Sequence, residues 1–405
     1  MKKSLPYLLI FLLTVFCFYI HFNDTTKSML VNENNKIANY YLSSVVKYHK
    51  TQPEFKKRPV TTFLIEKTKH FTGLKIGESF ISINFFFIFF TGILIYRISL
   101  LFEKNIKLAT TNVFVYFLCF SNLFAFFPPI FTYDEPIQFS LILLSLLFFY
   151  KEKWLGYIVF FSLSLIVRES GLILLPGLIY LLHEKNIKNL LDSFRKKHLK
   201  KWAYLFVPVV IYFSYLLIIN KTNIISINST NDVSSRLSLY SYNTQSQKTA
   251  IESLLSFFLI LGLPIYLTFY GLKIKNTENE KYINAFLVTV ILNSTVVFTL
   301  TMAREARLFT IPMLFIWPIF SKIFIEDIRL LFTLNNYKLI FYNFNNVVSF
   351  IFLNFLNYTL SFKAYETSIG KPKENYFNEY LFTLILVIIT HTILKYNMKK
   401  KLLNL

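Results

Sequence analysis

Residues 154–182, "WLGYIVFFSLSLIVRESGLILLPGLIYLL", admit two readings that place everything downstream on opposite sides of a membrane. Read as one helix, the stretch carries Arg168 and Glu169 near its middle, where ionisable groups are most costly. Read as two helices, 154–167 and 171–182, it places both charges at a turn. Each arm is then short, because fourteen helical residues rise only about 21 Å against a hydrocarbon core of about 30 Å. The turn would lie below the membrane surface and line a cavity.

The membrane setting follows from the rest of the chain. Of 405 residues, 54% are hydrophobic and 16% charged, where a soluble domain averages about 25% charged. Apolar runs fall at 5–22, 80–96, 109–127, 137–150, 154–167, 171–182, 202–219, 252–272, 282–302, 308–325, 338–360 and 379–394. The expectation is an all-α, polytopic transmembrane bundle of about twelve segments, with one module over 1–325 and further helices over 326–405. The basic head and apolar run at the start lack a small-residue cleavage site before "HFNDTT", which reads as a retained signal anchor. Cys17 and Cys119 lie inside apolar runs, and the six His are scattered without metal-ligand spacing. No internal repeat and no Gly-rich phosphate loop is found.

Charge decides between the two readings. With twelve crossings, the short segments on the side of the N-terminus carry 24 Lys or Arg and the short turns on the other side carry 6. Basic residues collect in cytoplasmic loops. The hairpin therefore fits, and the single-helix reading spoils the bias. The same rule accounts for the net charge of +21 without nucleic acid. Both termini are expected in the cytoplasm of a bacterial inner membrane. The long loop 23–79 is expected outside, with "KIANYYLSSVVKYHK" as an amphipathic helix whose face holds Ile37, Tyr40, Tyr41, Val45 and Tyr48. That helix could lie in the membrane interface or pack on the domain.

Four charged spots then share the outer side: "FNDTT", "YDEP", "RES" and "AREAR". Asp134 can cap the helix that starts near Pro136. Its neighbour Glu135 exceeds what a cap needs. Adjacent carboxylates can hold a divalent cation such as Mg or Mn, or supply a base whose pKa the other raises. Arg168 and Glu169 can form a local ion pair, or Arg168 can grip a phosphate through its planar fork. Arg304, Glu305 and Arg307 sit at the mouth of a helix pair, and both arginines share a face if the helix continues. Asp24 follows the first helix directly.

This order of features resembles the GT-C superfamily of membrane glycosyltransferases, which use lipid-phosphate-linked sugars. The likeness lies in the first helix followed by a long outer loop, the short hairpin helices, and the succession of "YDEP", "RES" and Glu305-x-Arg307 with Pro312. It is architectural and covers most of 1–325. The resemblance implies transfer of a hexosyl or pentosyl group from a polyprenyl-phosphate donor to a glycan or lipid acceptor in the cell envelope. Asp24, Asp134, Glu135 and Glu169 are the candidate catalytic acids. Arg168, Arg304, Glu305 and Arg307 are the candidate substrate contacts. One departure is that GT-C enzymes often carry an acidic pair in the first outer loop, where this chain has Asp24 followed by Thr25 and Thr26. The alternatives are a transporter or flippase for lipid-linked or anionic substrates, and a surface-polysaccharide polymerase.

Overall fold

The computed structural model describes residues 4–23, 39–124, 132–182, 196–221, 238–272, 277–341, 343–372, 374 and 376–403. Among these every element is helical. In chain order they are α1 (Leu5–Asn23), α2 (Asn39–Thr51), α3 (Pro59–Thr72), α4 (Ile76–Phe102), α5 (Ile106–Phe117), α6 (Glu135–Tyr150), α7 (Trp154–Val167), α8 (Leu175–Leu182) and α9 (Lys196–Lys221). They continue with α10 (Gln247–Tyr270), α11 (Thr277–Leu300), α12 (Ile325–Phe332), α13 (Leu334–Phe341), α14 (Phe344–Ser368) and α15 (Phe377–Leu403). The protein is a membrane-embedded helical bundle. Within α4, α9, α10, α11, α14 and α15 lie the six stretches long and apolar enough to cross a membrane.

The expected twelve segments are thus six long helices and a set of shorter ones, and two runs differ in kind. The run 109–127 stops being one helix at Phe117, because Cys119 is extended and only a single turn, Phe120–Leu123, follows. The Tyr116 carbonyl accepts the Asn122 side-chain amide besides the Cys119 backbone amide. The run 308–325 is a chain of single turns, Ala306–Phe309, Met313–Ile316, Trp317–Ile319 and Phe320–Ile323. Pro312 and Pro318 interrupt it, since proline supplies no backbone donor. The Pro318 carbonyl accepts Ser99 Oγ at 2.7 Å and Asn112 Nδ2 at 2.8 Å. Asn112 Oδ1 accepts the Ser321 amide in return. Every side chain from Met313 to Phe320 is buried, Trp317 completely, so this run is core rather than lipid-facing wall.

The hairpin reading of 154–182 holds. α7 stops at Val167, Arg168 is extended, and a 3-10 turn spans Glu169–Leu174. Glu152 pairs with Lys201, and Tyr157 Oη donates to the Leu205 carbonyl, so α7 and α9 begin side by side. They also end together, since Tyr215 Oη reaches the Lys57 carbonyl and Lys57 Nζ reaches Glu169. After the turn the chain runs back along α11. Ile173 shares a cavity wall with Val296 and Val297, and Gly177 lies against Thr289 and Phe315.

α2 is helical as expected, with a different buried face. Leu42 and Val46 are buried, Tyr41 and Val45 are half-buried and Tyr48 is exposed. The helix packs on α4, which favours the domain-packing alternative over an interfacial one. Ile37 lies outside the described residues. At the end of the bundle away from Arg168, Asp327 Oδ1 meets His391 Nε2 at 2.7 Å and accepts the Leu272 amide at 2.8 Å. Tyr266 Oη sits 2.9 Å from His391 Nδ1. These contacts clasp α10, α12 and α15.

The close approach at Gly177 is testable. A Cβ there would lie 2.6 Å from Phe315 Cε2 and 2.7 Å from Thr289 Oγ1. Both neighbours are core groups, so Gly177→Ala should cost about 1–3 kcal/mol. Thermal unfolding in detergent should show a lowered Tm; an unchanged Tm would refute this packing of α8 on α11.

Candidate functional site

Four separated stretches bring ionised side chains to one end of the bundle: Lys57 and Arg58 before α3, the start of α6, the turn after α7, and the turn 301–309 after α11. Pro136 in the first turn of α6 lets the helix begin at Glu135. Asp134 stands at the cap position, yet its side chain makes no capping bond. It accepts Thr61 Oγ1 at 2.7 Å, and its other oxygen lies 3.6 Å from Arg58 Nη1. Arg58 binds Glu169 through two bonds, Nε–Oε2 at 2.9 Å and Nη2–Oε1 at 2.7 Å. Lys57 Nζ adds a contact to Glu169 at 3.4 Å. Arg168 and Glu169 are therefore no local pair; each reaches a different partner.

Glu135 is the centre of the site. Its Oε1 contacts Nη1 of both Arg168 and Arg307. Arg307 Nη2 also donates to Glu305 at 2.9 Å. Gln138, one turn along α6, donates to the Arg168 carbonyl at 2.8 Å and to Ser170 Oγ at 3.1 Å, which fixes the arginine's backbone. The turn carrying Arg307 is held by four side chains, one of them Asn293, whose amide donates to the Leu308 carbonyl at 3.1 Å. Asn243 bonds to the Phe298 and Thr301 carbonyls and the Ala303 amide, Ser256 Oγ donates to the Arg304 carbonyl, and Glu374 accepts the Ala306 amide. The carboxylates of Asp134, Glu135, Glu169 and Glu305 thus face the cations Lys57, Arg58, Arg168 and Arg307.

Of the candidates, Asp134, Glu135, Arg168, Glu169, Glu305 and Arg307 meet here. Arg304 does not. The helix ends at Leu300, so Arg304 and Arg307 share no helical face, and the Arg304 guanidinium lies over the Tyr242 ring at 5.0 Å. Asp24 lies outside the described residues. No group of three or more His, Cys, Asp or Glu able to hold a metal occurs among the described residues. Asp134 and Glu135 turn to different cations instead of sharing one ion.

Arg58, Lys57 and Thr61 are functional-site residues that the motifs did not mark. "KKRPVTT" reads as a solvated basic patch. Its signal is local: three consecutive basic residues directly before a proline. His49 was also unmarked. It stacks on Tyr133, with ring centroids 3.7 Å apart, and Tyr133 Oη meets Thr62 Oγ1 at 2.8 Å. Burial first, and then the Arg58 charge, push the His49 imidazole down to about 4, so it is neutral at pH 7.

A cavity of about 60 Å³ opens beside the pair of arginines, room for about four waters. Glu135, Arg168 and Arg307 line it with the polar Gln138, Ser170, Asn293 and Thr301 and the aliphatic Ile173, Val296, Val297, Leu308 and Ile311. A smaller space of about 10 Å³ also touches Glu135 and Arg307 and is lined besides by Ser121, Asn122, Thr132 and Thr310. A larger cavity of about 370 Å³ lies at the far end of α10 and α11 beside Asp327. Asp327 is committed there to His391 and the Leu272 amide, so the chemistry gathers at the smaller cavity. Comparison with family models, curated proteins and solved structures returns no match.

Burial pushes the Asp134 carboxyl up from 3.8 to about 6, against the pull of Arg58. A carboxyl that binds its proton more tightly in the folded state favours folding while protonated. That contribution is complete below pH 3.8 and is lost as the pH rises through about 6. Asp134→Asn should remove this slope, measured as Tm across that window; a slope identical to the wild type would refute the buried setting of Asp134.

Proposed function

We propose that the protein is a membrane glycosyltransferase that moves a sugar from a polyprenyl-phosphate donor to a hydroxyl acceptor at the outer face of a bacterial inner membrane. The observation that carries this reading is the cavity beside Arg168 and Arg307. Two guanidiniums, whose planar forks suit a phosphate, line it together with the aliphatic side chains of Ile173, Val296, Val297, Leu308 and Ile311. A lipid phosphate has the same two-part character. The twelve-segment topology with both termini in the cytoplasm belongs to this proposal, since it places the charged end outside.

The chain's own groups divide the work. Arg168 and Arg307 hold the phosphate and take up the charge that develops on it as the sugar departs. Glu135, which lines both cavities, is the base. The acceptor hydroxyl gives its proton to Glu135 and its oxygen bonds to the anomeric carbon. The bond from that carbon to the phosphate oxygen breaks, and its electron pair stays on the phosphate. Asp134, Glu169 and Glu305 are positioning residues: they hold Arg58 and Arg307 in place. Arg58 ties the helices of the 23–79 loop to this end of the bundle. A divalent cation at Asp134 and Glu135 is not needed for this scheme. All these charges gather at one end, whereas alternating access needs sites reachable from both sides, so transport fits less well.

Purified protein incubated with a panel of polyprenyl-phosphate sugars should release polyprenyl phosphate. Glu135→Gln and Arg168→Ala should each lower the rate by about a hundredfold or more while the protein still inserts at normal levels. Near-full activity in either variant would overturn these roles, and no release from any donor would overturn the reading itself.

A further inference from the structure

We propose that Glu135 stands in for the donor phosphate in the resting protein, and that the incoming phosphate displaces it into the polar space bounded by Asn122 and Thr310. This inference rests on the glycosyltransferase reading. Two guanidiniums from different stretches of chain converge on one carboxylate oxygen. Arginine forks match carboxylate and phosphate alike. With Glu135 between them, Nη1 of each arginine is occupied, and the adjoining cavity has room for only a few waters. A phosphate cannot pair with both Nη1 atoms until the carboxylate leaves.

The structure also provides somewhere for the carboxylate to go. The small space beside Glu135 is lined by Thr310 and Asn122, and also by Arg307. Among the described residues Thr310 Oγ1 and Asn122 Oδ1 are buried without a hydrogen-bond partner. Such atoms are costly and usually have a use. The Thr310 hydroxyl can donate to the displaced carboxylate. The Asn122 amide is oriented by its bond to the Tyr116 carbonyl, so its oxygen is the atom left to accept. An ionised Glu135 gives that oxygen nothing to accept. Once Glu135 has taken the acceptor's proton, its new O–H can donate there. The landing site therefore suits the carboxyl better after proton transfer than before.

Displacement sets a penalty on donor binding. If the arginine-bound state of Glu135 holds about nine-tenths of the resting population, apparent affinity falls about tenfold. The test is binding of undecaprenyl phosphate to full-length protein in nanodiscs, with inorganic phosphate as competitor to separate the headgroup from the chain. Glu135→Gln keeps the shape and weakens the hold on both arginines, so it should bind about tenfold more tightly than wild type even though it no longer transfers sugar. Added undecaprenyl phosphate should raise its Tm more than that of the wild type, which also reports that it is folded. Thr310→Val should weaken binding several-fold in the wild-type background and have no effect in the Glu135→Gln background, the coupling expected of a carboxylate that must land on that hydroxyl. Binding to wild type that Glu135→Gln fails to strengthen would overturn displacement and leave the donor reading standing. Equal effects of Thr310→Val in both backgrounds would overturn the landing site. Absence of binding in every variant would remove the donor reading, and this inference with it.

Discussion

The architecture of the charged end depends on one carboxylate shared by two arginines. Glu135 begins α6, Arg168 ends α7, and Arg307 lies in the turn beyond α11. These points are far apart in the chain and none is held to another by secondary structure. In a setting of low dielectric an uncompensated charge is strongly unfavourable, and losing one partner of a buried pair typically costs about 3–5 kcal/mol. The ion contact therefore acts as a registration point: α6, the hairpin turn and the last core turn must arrive together or leave a bare charge behind. Asp134, Arg58 and Glu169 extend the same logic to the helices of the 23–79 loop.

Around this point the protein uses polar side chains to fix backbone, the carboxylate of Glu374 among them. Asn243, Ser256 and Glu374 bind the turn that carries Arg307, and Gln138 binds the carbonyl of Arg168. Proline at 312 and 318 breaks the run that follows, and Asn112 and Ser99 take over the groups so exposed. Each device meets a backbone need inside the bundle, where water cannot. The charged side chains are thus presented on a backbone with little freedom to drift.

Much of this was legible in the sequence, for identifiable reasons. Helical class and membrane setting follow from run length and composition. The hairpin at 154–182 follows from charge bias, because merging its arms would bury Arg168 and Glu169 at mid-helix. Convergence of "YDEP", "RES" and "AREAR" follows from that topology. What stayed hidden depended on tertiary choices. Arg58 looks like any loop arginine until Glu169 is seen to grip it with both oxygens. Arg304 and Arg307 look equivalent until the helix ends at Leu300 and aims one at Tyr242 and the other at Glu135. The buried face of α2 went unread because tyrosine suits either surface, and Leu42 and Val46 decide it. The run 308–325 has the hydropathy of a lipid-facing helix and the prolines of a core.

The clasp between Asp327 and His391 bears on the order in which the protein is made. Asp327 emerges from the ribosome many residues ahead of His391, and its immediate partner at that stage is the Leu272 amide. Only when α15 has been translated and inserted does the imidazole close over the carboxylate, with Tyr266 completing the row. α15 is in that sense a bolt: α10 and α12 can collect around Asp327 earlier, but they are locked only once α15 has joined them.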